Sequence, residues 1–472
     1  MRSRGVILIA ALLPMAGCAS EETRLADRII HEAVDRGHGY EKLTYLTDRI
    51  GPRLSGSQGL DRAVAWAAAD LRADGLDHVW TEKVMVPHWV RGAESGRVVS
   101  PVDHPLALTA LGGSIGTPEG GLEAEVIEVT SFEELTAAGP GARGRIVLYN
   151  KPILPDGGEK HGYGSASRLR FRGAVEAAKV GAVGMLIRSL GTASFRLPHT
   201  GAMGYEDSVE HIPGAAISAE DADLIHRFLA AGETVKVRYS LGCLTLPDAE
   251  SANVLAELRG RETPSEIVLI AAHLDSWDLA TGAIDDGAGV AIVMETMRVL
   301  RSLHLAPRRT IRAVLFTNEE NGLRGGRAYA EAHKDEQSAH VAAIESDSGG
   351  ARPLGFDVSA GAGGDAVVRA IVAHLSGIEA TRVAGGGGGA DISPLKAAGV
   401  PLLSLRQDTA HYFDYHHTPA DTLDKVDPRD LARNVAALSV MAYMLADRAD
   451  PLPRLEPAPP EGASAPGRPG GS

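Results

Sequence analysis

The sequence predicts an α/β protein: a mixed, largely parallel sheet flanked by helices, carrying an inserted β-rich module. Three observations predict it. From Asn253 to Asp447, apolar β-branched runs alternate with helix-length segments, the pattern of a parallel-rich sheet covered on both faces. From about Gly96 to Tyr239 the chain instead offers short β-rich pieces separated by Gly and Pro turns. Within Ile267 to Glu320, two apolar runs each end in side chains able to bind metal, and the ends of strands are where open α/β sheets collect ligands.

Size and charge fit this class. A chain of 472 residues, 44% hydrophobic and 23% charged, has apolar surface for at least two domains. The formal net charge of -14 argues against nucleic acid or an anionic membrane surface as the main partner, since either calls for a basic patch.

Taken in order, the chain begins with a basic stretch, Met1 to Arg4, and a short apolar run, Gly5 to Ala16, too short to span a bilayer comfortably. Residues 1–17 therefore read as an export signal. The ending Leu13-Pro-Met-Ala-Gly-Cys18 resembles a bacterial lipobox, which implies a lipidated Cys18 and a periplasmic or cell-envelope lipoprotein; without lipidation the protein is expected to be secreted. The other cysteine, Cys243, is then expected as a buried small hydrophobe. No other segment is apolar for long enough to span a membrane.

Residues 21–95 are assigned to the first part of the main domain. Glu21 to Leu46 has helical spacing interrupted at Gly37 and Gly39, Ile50 to Ser57 is turn-rich, and Gly59 to Leu71 is a helix ending before Gly75. Residues 96–245 form the expected insert, with strands at Leu122 to Val129, Gly144 to Tyr149, Val183 to Ile187 and Ile212 to Ser218, and one helix at Arg172 to Lys179. Its segments Lys151-Pro152, Arg172 to Ala182 and Pro198-His-Thr-Gly201 resemble a protease-associated domain. Residues 246–450 complete the main domain. Strands are expected at Asn253 to Leu258, Ile267 to Ala272, Thr310 to Thr317, Val341 to Ser346, Leu354 to Ser359 and Pro401 to Leu405, and helices at Gly289 to Arg301, Gly325 to His333, Ala366 to Leu375, Pro394 to Ala398 and Pro428 to Ala446. Residues 451–472, rich in Pro, Gly, Ala and Ser, read as a disordered tail.

The chemistry sits just past the strands. His273 ends one strand, and Asp275 is close enough to accept its second ring N–H. Asp285-Asp286-Gly287 opens a helix; helix cap and ligand support are both open for Asp286. Glu319 and Glu320 end the next strand, where adjacent carboxylates repel unless a cation or proton offsets them. Asp347 follows another strand, and His416-His417 with Asp421 adds imidazole. Imidazoles and carboxylates without cysteine suit two divalent ions sharing a carboxylate: zinc first, with manganese or cobalt compatible.

The motifs His273-Leu-Asp275, Gly282-Ala-Ile-Asp285-Asp286-Gly287, Asn318-Glu319-Glu320-Asn-Gly, Glu345-Ser-Asp347-Ser-Gly and His417-Thr-Pro-Ala-Asp421-Thr resemble, in order and spacing, the co-catalytic dizinc aminopeptidase family. The resemblance implies a phosphorylase/hydrolase-like zinc-exopeptidase fold and two zinc ions per subunit. By it, His273 and Asp347 hold one ion, Glu320 and His417 the other, Asp285 bridges them, Glu319 is the general base and Asp275 orients His273. Residue reasoning alone chooses neither Glu319 over Glu320 as base nor His417 over His416 as ligand. The resemblance also implies a cis peptide after Asp285, peptide or dipeptide substrates with a free N-terminus, and a homodimer. Candidates to hold a substrate carboxylate are Arg406 and the run Gly385 to Gly389, including Gly388, leading to Asp391. Two other readings of the same fold are a binding scaffold without activity and a glutaminyl cyclase-like acyl transfer.

Overall fold

The computed structural model describes residues 20–153 and 162–456. The signal and the lipidation expected at Cys18 lie outside them, as does the tail beyond residue 456.

Two helices open the described chain, α1 (Glu21–Arg36) and α2 (Gly39–Tyr45), parted at Gly37 as expected. Ser20 caps α1 by accepting from the Thr23 N–H, and the buried face Ala26, Ile29 and Ala33 follows the helical repeat. Helix α3 (Gln58–Ala73) is capped in the same way by Ser57. A long strand that the sequence reading did not foresee follows, β1 (His78–Val90). Its residues alternate poorly between apolar and polar, so period-two patterning leaves it unmarked.

The chain then builds a second sheet from β2 (Glu94–Ser100), β3 (His104–Pro105), β4 (Leu108–Ala110), β5 (Leu122–Val129), β6 (Ile146–Tyr149), β7 (Gly184–Arg188), β8 (Gly214–Ile217) and β9 (Lys236–Leu241), in the order β3-β2-β9-β5-β6-β7-β8-β4. Three helices accompany it where one was expected: α4 (Phe132–Ala138), α5 (Tyr163–Lys179) and α6 (Ala219–Ala230). Both missed helices carry the expected start signal, since Ser131 and Ser218 accept hydrogen bonds from the backbone three residues on.

The main sheet resumes with β10 (Leu244–Leu258), β11 (Thr263–His273), α7 (Ala288–Ser302), β12 (Arg309–Phe316), α8 (Arg324–Ala332), β13 (His340–Glu345), β14 (Pro353–Ser359), α9 (Gly364–Val372), β15 (Arg382–Gly385), β16 (Leu402–Gln407), the short α10 (Tyr412–Tyr415) and α11 (Pro428–Asp447). Its order is β1-β10-β12-β11-β13-β16-β14-β15. Strands β12, β11, β13 and β16 run parallel, while the β1/β10, β10/β12 and β14/β16 pairs are antiparallel, so the sheet is mixed as predicted. Helix α7 is buried along nearly its whole length against β11, β12, α1, α2 and α11. A helix apolar nearly all round belongs inside such a sandwich.

Strands β1 and β10 pair from His78 opposite Glu257 out to Val90 opposite Leu244, so the chain leaves for the second sheet and returns along one two-stranded ribbon. The second sheet therefore runs from Glu94 to Leu241, slightly inside the expected 96–245 at its far end. The tail boundary also moves. Leu452 is buried, the Leu455 N–H donates to the Gly399 carbonyl, and Arg454 donates to the carbonyls of Ser338, His340 and Ala398, so residues 451–456 are packed rather than disordered.

Candidate metal centre

In-register parallel strands bring the predicted residues to one edge. His273, the last residue of β11, lies opposite Phe316 at the end of β12, and Ala271 lies opposite Glu345 at the end of β13. The segments after these strands carry Glu319, Glu320 and Asp347, and β16 leads through α10 to His416 and His417. Between β11 and α7 the chain folds back to place Asp285, whose peptide bond to Asp286 is cis.

The distances define two overlapping groups. His273 Nε2 is 3.2 Å from Asp285 Oδ1 and 3.5 Å from Asp347 Oδ1. His417 Nε2 is 3.1 Å from Asp285 Oδ2 and 2.9 Å from Glu320 Oε2. Within each of the sets His273–Asp285–Asp347 and Asp285–Glu320–His417, the donor atoms lie within 4.8 Å of one another. Asp285 belongs to both. The residues fit divalent cations: each set mixes imidazole and carboxylate, and Glu320 Oε1 is buried without a hydrogen-bond donor among the described residues.

Electrostatics point the same way. Burial pushes the Glu319 and Glu320 carboxyls well above the usual carboxylate range, and the neighbouring Asp347 and Asp285 add to the push. Burial acts against a charged His273, yet Asp285 and Asp347 outweigh it and raise that imidazole well above its ordinary value. A buried cluster of this kind ionises fully only when positive charge is supplied.

The members of the two pairs left open by the residues are placed differently. Glu320 joins a donor set and Glu319 does not, while both line the adjoining cleft of about 1080 Å³. His417 joins Glu320. His416 also reaches Asp285 Oδ2 at 3.1 Å, but its Nδ1 meets His199 Nε2 at 3.1 Å, and His416 falls in a separate grouping with His199 and His417.

Other predicted residues take different places. His273 Nδ1 lies 3.1 Å from the Asp275 backbone carbonyl and 3.8 Å from its carboxylate. That carboxylate accepts instead from the backbone N–H groups of Glu319, at 3.0 Å, and Glu320, at 3.3 Å, so the Asp275 side chain aims the two glutamates. Asp286 acts as a cap: its carboxylate accepts from the Gly289 N–H and the His273 N–H. Asp421 accepts from the N–H groups of Ala283 and Ile284 and holds the loop leading to Asp285; burial pushes its carboxyl up to about 7.

The suggested carboxylate holders do not line the cleft. Arg406 and Gly388 line a neighbouring cavity of about 860 Å³ that touches the cleft at Asp347 and Tyr412, and Arg406 is paired with Asp357 at 2.7 Å. Asp391 is buried; its backbone N–H donates to Glu345 at 3.4 Å. The glycine run has a packing reason: a Cβ on Gly389 would lie 2.2 Å from the Glu345 carboxyl carbon.

The second sheet supplies the opposite wall of the cleft, with Gly112, Tyr163, Arg170, Phe171, Met203 and Tyr205. Sequence reading missed this contribution, although Pro198-His-Thr-Gly201 was noted for another reason. Trp277 joins the two walls. It packs in the core of the second sheet, where a Cβ on Gly112 would lie 1.9 Å from its ring, while its edge faces His417 at 5.8 Å between ring centres. Beside it Arg91 pairs with Asp278 and donates to Thr109 and Ala110.

A model of peptidase family M28 matches residues 253–442. Carboxypeptidase Q of Mus musculus is 41% identical over 419 residues, covering 89% of this chain and 88% of that protein. Carboxypeptidase Q of Homo sapiens is 40% identical over 433 residues, covering 91% and 90%. Among solved structures, a peptidase M28 precursor from Shewanella amazonensis superposes with a TM-score of 0.88 at 42% identity, covering 93% of this chain and 99% of its own. A zinc aminopeptidase from Bacillus subtilis shares the fold, with a TM-score of 0.65 at 22% identity and coverage of 88% and 96%. Relatives matched over nearly their whole length, together with two donor sets that share one aspartate, place the chain in peptidase family M28, as a metallo-exopeptidase.

Proposed function

We propose that this chain is a zinc-dependent dipeptidase that hydrolyses short peptides with a free N-terminus, exported and anchored to the cell envelope through a lipidated Cys18. The observation that carries the reading is the pair of donor sets sharing Asp285, with Glu319 beside them in the cleft. The set His273–Asp285–Asp347 would hold one zinc ion and Asp285–Glu320–His417 the other. Zinc bound there would supply Lewis acidity, making water a nucleophile at neutral pH and offsetting charge on the reacting oxygen.

The chain's own residues do the rest. Glu319 takes a proton from the attacking water as its oxygen bonds to the peptide carbonyl carbon, and returns it to the amine as the C–N bond breaks. Asp275 holds the backbone of Glu319 and Glu320 in place through two N–H groups. The buried cleft floor limits water around the proton in transit. The second sheet, read as a protease-associated-like module, covers the cleft, and a homodimer is the expected assembly. Manganese or cobalt would fit the same donors.

A general aminopeptidase acting on longer peptides is the second reading, favoured by the size of the cleft, which at about 1080 Å³ is larger than a dipeptide requires. A matched set decides: an unblocked dipeptide, its N-acetyl form, its C-terminal amide and a tetrapeptide, each with zinc-loaded enzyme and with Glu319→Gln. Cleavage of the free dipeptide alone, lost in the variant with zinc retained, is the expected result. Equal cleavage of amide and tetrapeptide establishes the aminopeptidase. No cleavage of any member with two metals bound returns the chain to a binding scaffold.

A further inference from the structure

We propose that Arg170, contributed by α5 of the second sheet's region, grips the C-terminal carboxylate of the substrate. The inference rests on the dipeptidase reading and adds the residue that selects for a short peptide with a free C-terminus.

Arg170 is 8% exposed and lines the same cleft as Asp285, Glu319, Glu320 and Asp347. Its Nη1 donates to the Tyr163 hydroxyl at 3.1 Å and to the Thr200 carbonyl at 3.2 Å. Its Nε is buried without a partner, and among the described residues the guanidinium pairs with no carboxylate. An arginine with so little exposure and no carboxylate in contact among the described residues is costly, because its charge is desolvated without a direct partner. A ligand carboxylate removes that cost, and the planar fork of an arginine is shaped to bind one through two parallel hydrogen bonds.

The position suits the C-terminal end of a dipeptide. Thr200's carbonyl, which accepts from Arg170, also faces His417 Nδ1 at 3.4 Å, so the guanidinium and a metal-binding imidazole flank one backbone oxygen. Two extended residues span at most about 7 Å, which keeps the C-terminus of a dipeptide close to the metal-binding residues. A longer peptide would carry its carboxylate past this point. The guanidinium is seated by Gly201, where a Cβ would lie 2.2 Å from Nη1. The other arginine in the cleft wall, Arg327, is exposed, and Arg406 already pairs with Asp357 outside the cleft.

The test measures binding by calorimetry to zinc-loaded Glu319→Gln protein, so that turnover does not intervene, using alanyl-alanine and alanyl-alanine amide. The acid is expected to bind about a hundredfold more tightly than the amide, since a desolvated charge pair is at stake. Adding Arg170→Gln should bring that ratio close to one. Arg170→Lys, which keeps the stem and the charge but not the fork, should retain part of it and serves if the glutamine variant does not fold. An unchanged ratio in both variants overturns the proposal, as does a collapse of the ratio in Arg406→Gln instead. Equal binding of acid and amide by the parent protein, or binding of neither, overturns the dipeptidase reading itself, and the anchor with it.

Discussion

The two walls of the cleft are built on different principles. The metal-binding wall comes from residues that immediately follow β11, β12 and β13, so a few contiguous stretches and one parallel register place His273, Glu319, Glu320 and Asp347 together. The facing wall draws Tyr163, Arg170, Met203 and Tyr205 from helix and loop positions that the fold of a second sheet brings across. Residues of the first kind share a sequence context; those of the second share only a location. The clustered carboxylates and imidazoles are therefore concentrated in one wall, and the other is lined largely by aromatic and apolar side chains.

The largest effect expected from breaking the first wall is that of Glu319→Gln. Turnover should fall about 10³-fold while metal content, read by elemental analysis, stays at the level of the unsubstituted protein, because Glu319 stands outside both donor sets. Loss of metal together with activity would erase the distinction between base and ligand.

Next is the acid stability of the first sheet. His340, at the start of β13, hydrogen-bonds Tyr329 at 2.7 Å, and burial lowers its imidazole to about 4. The folded protein thus binds this proton more weakly than the unfolded chain, whose imidazole titrates near 6.5. The contribution to stability is complete above pH 6.5 and is lost as pH falls through about 4, amounting to about 3 kcal/mol. Urea unfolding across this range should show that slope, and His340→Gln should flatten it.

The junction between the walls comes third. Gly112→Ala places a methyl group against the Trp277 ring and should destabilise the protein by about 2 kcal/mol. It should also change KM while zinc content holds, since Trp277 faces both the second-sheet core and His417. The smallest change lies within the second region: Ser218→Ala removes the cap of α6 and should lower stability by about 1 kcal/mol, with no change in metal content.

Legibility in the sequence follows the same division. The central strands of the main sheet were readable because buried parallel strands are continuous apolar runs, as at Ile267 to Ala272, whereas the edge strand β15 was not. His273, Glu319, Glu320 and Asp347 stood out as candidates because each lies at or just past the end of such a run. Strand β1 was not, because its alternation is broken by Glu82, Lys83 and His88 and its pairing partner β10 lies more than 150 residues away. Arg406 was one candidate carboxylate holder, but its guanidinium pairs with Asp357, a diagonal cross-strand neighbour that only the β14/β16 register reveals. Arg170 stands two residues before the segment Arg172 to Ala182 and looks like one more helix charge; that no carboxylate among the described residues pairs with it becomes visible only in three dimensions.

The ribbon formed by β1 and β10 has an architectural consequence. Because Val90 and Leu244 are paired neighbours, the roughly 150 residues between them hang from the tip of what would otherwise be a hairpin. The main sheet needs no long-range closure to accommodate them: lengthening a loop between ends already joined adds only about 0.6 kcal/mol of entropy for each doubling. Such a tip is a natural grafting point. A tight turn joining Val90 to Leu244 would give a miniature of the molecule, and replacing the excised piece with a counterpart from a relative would exchange one wall of the cleft while leaving the main sheet unaltered.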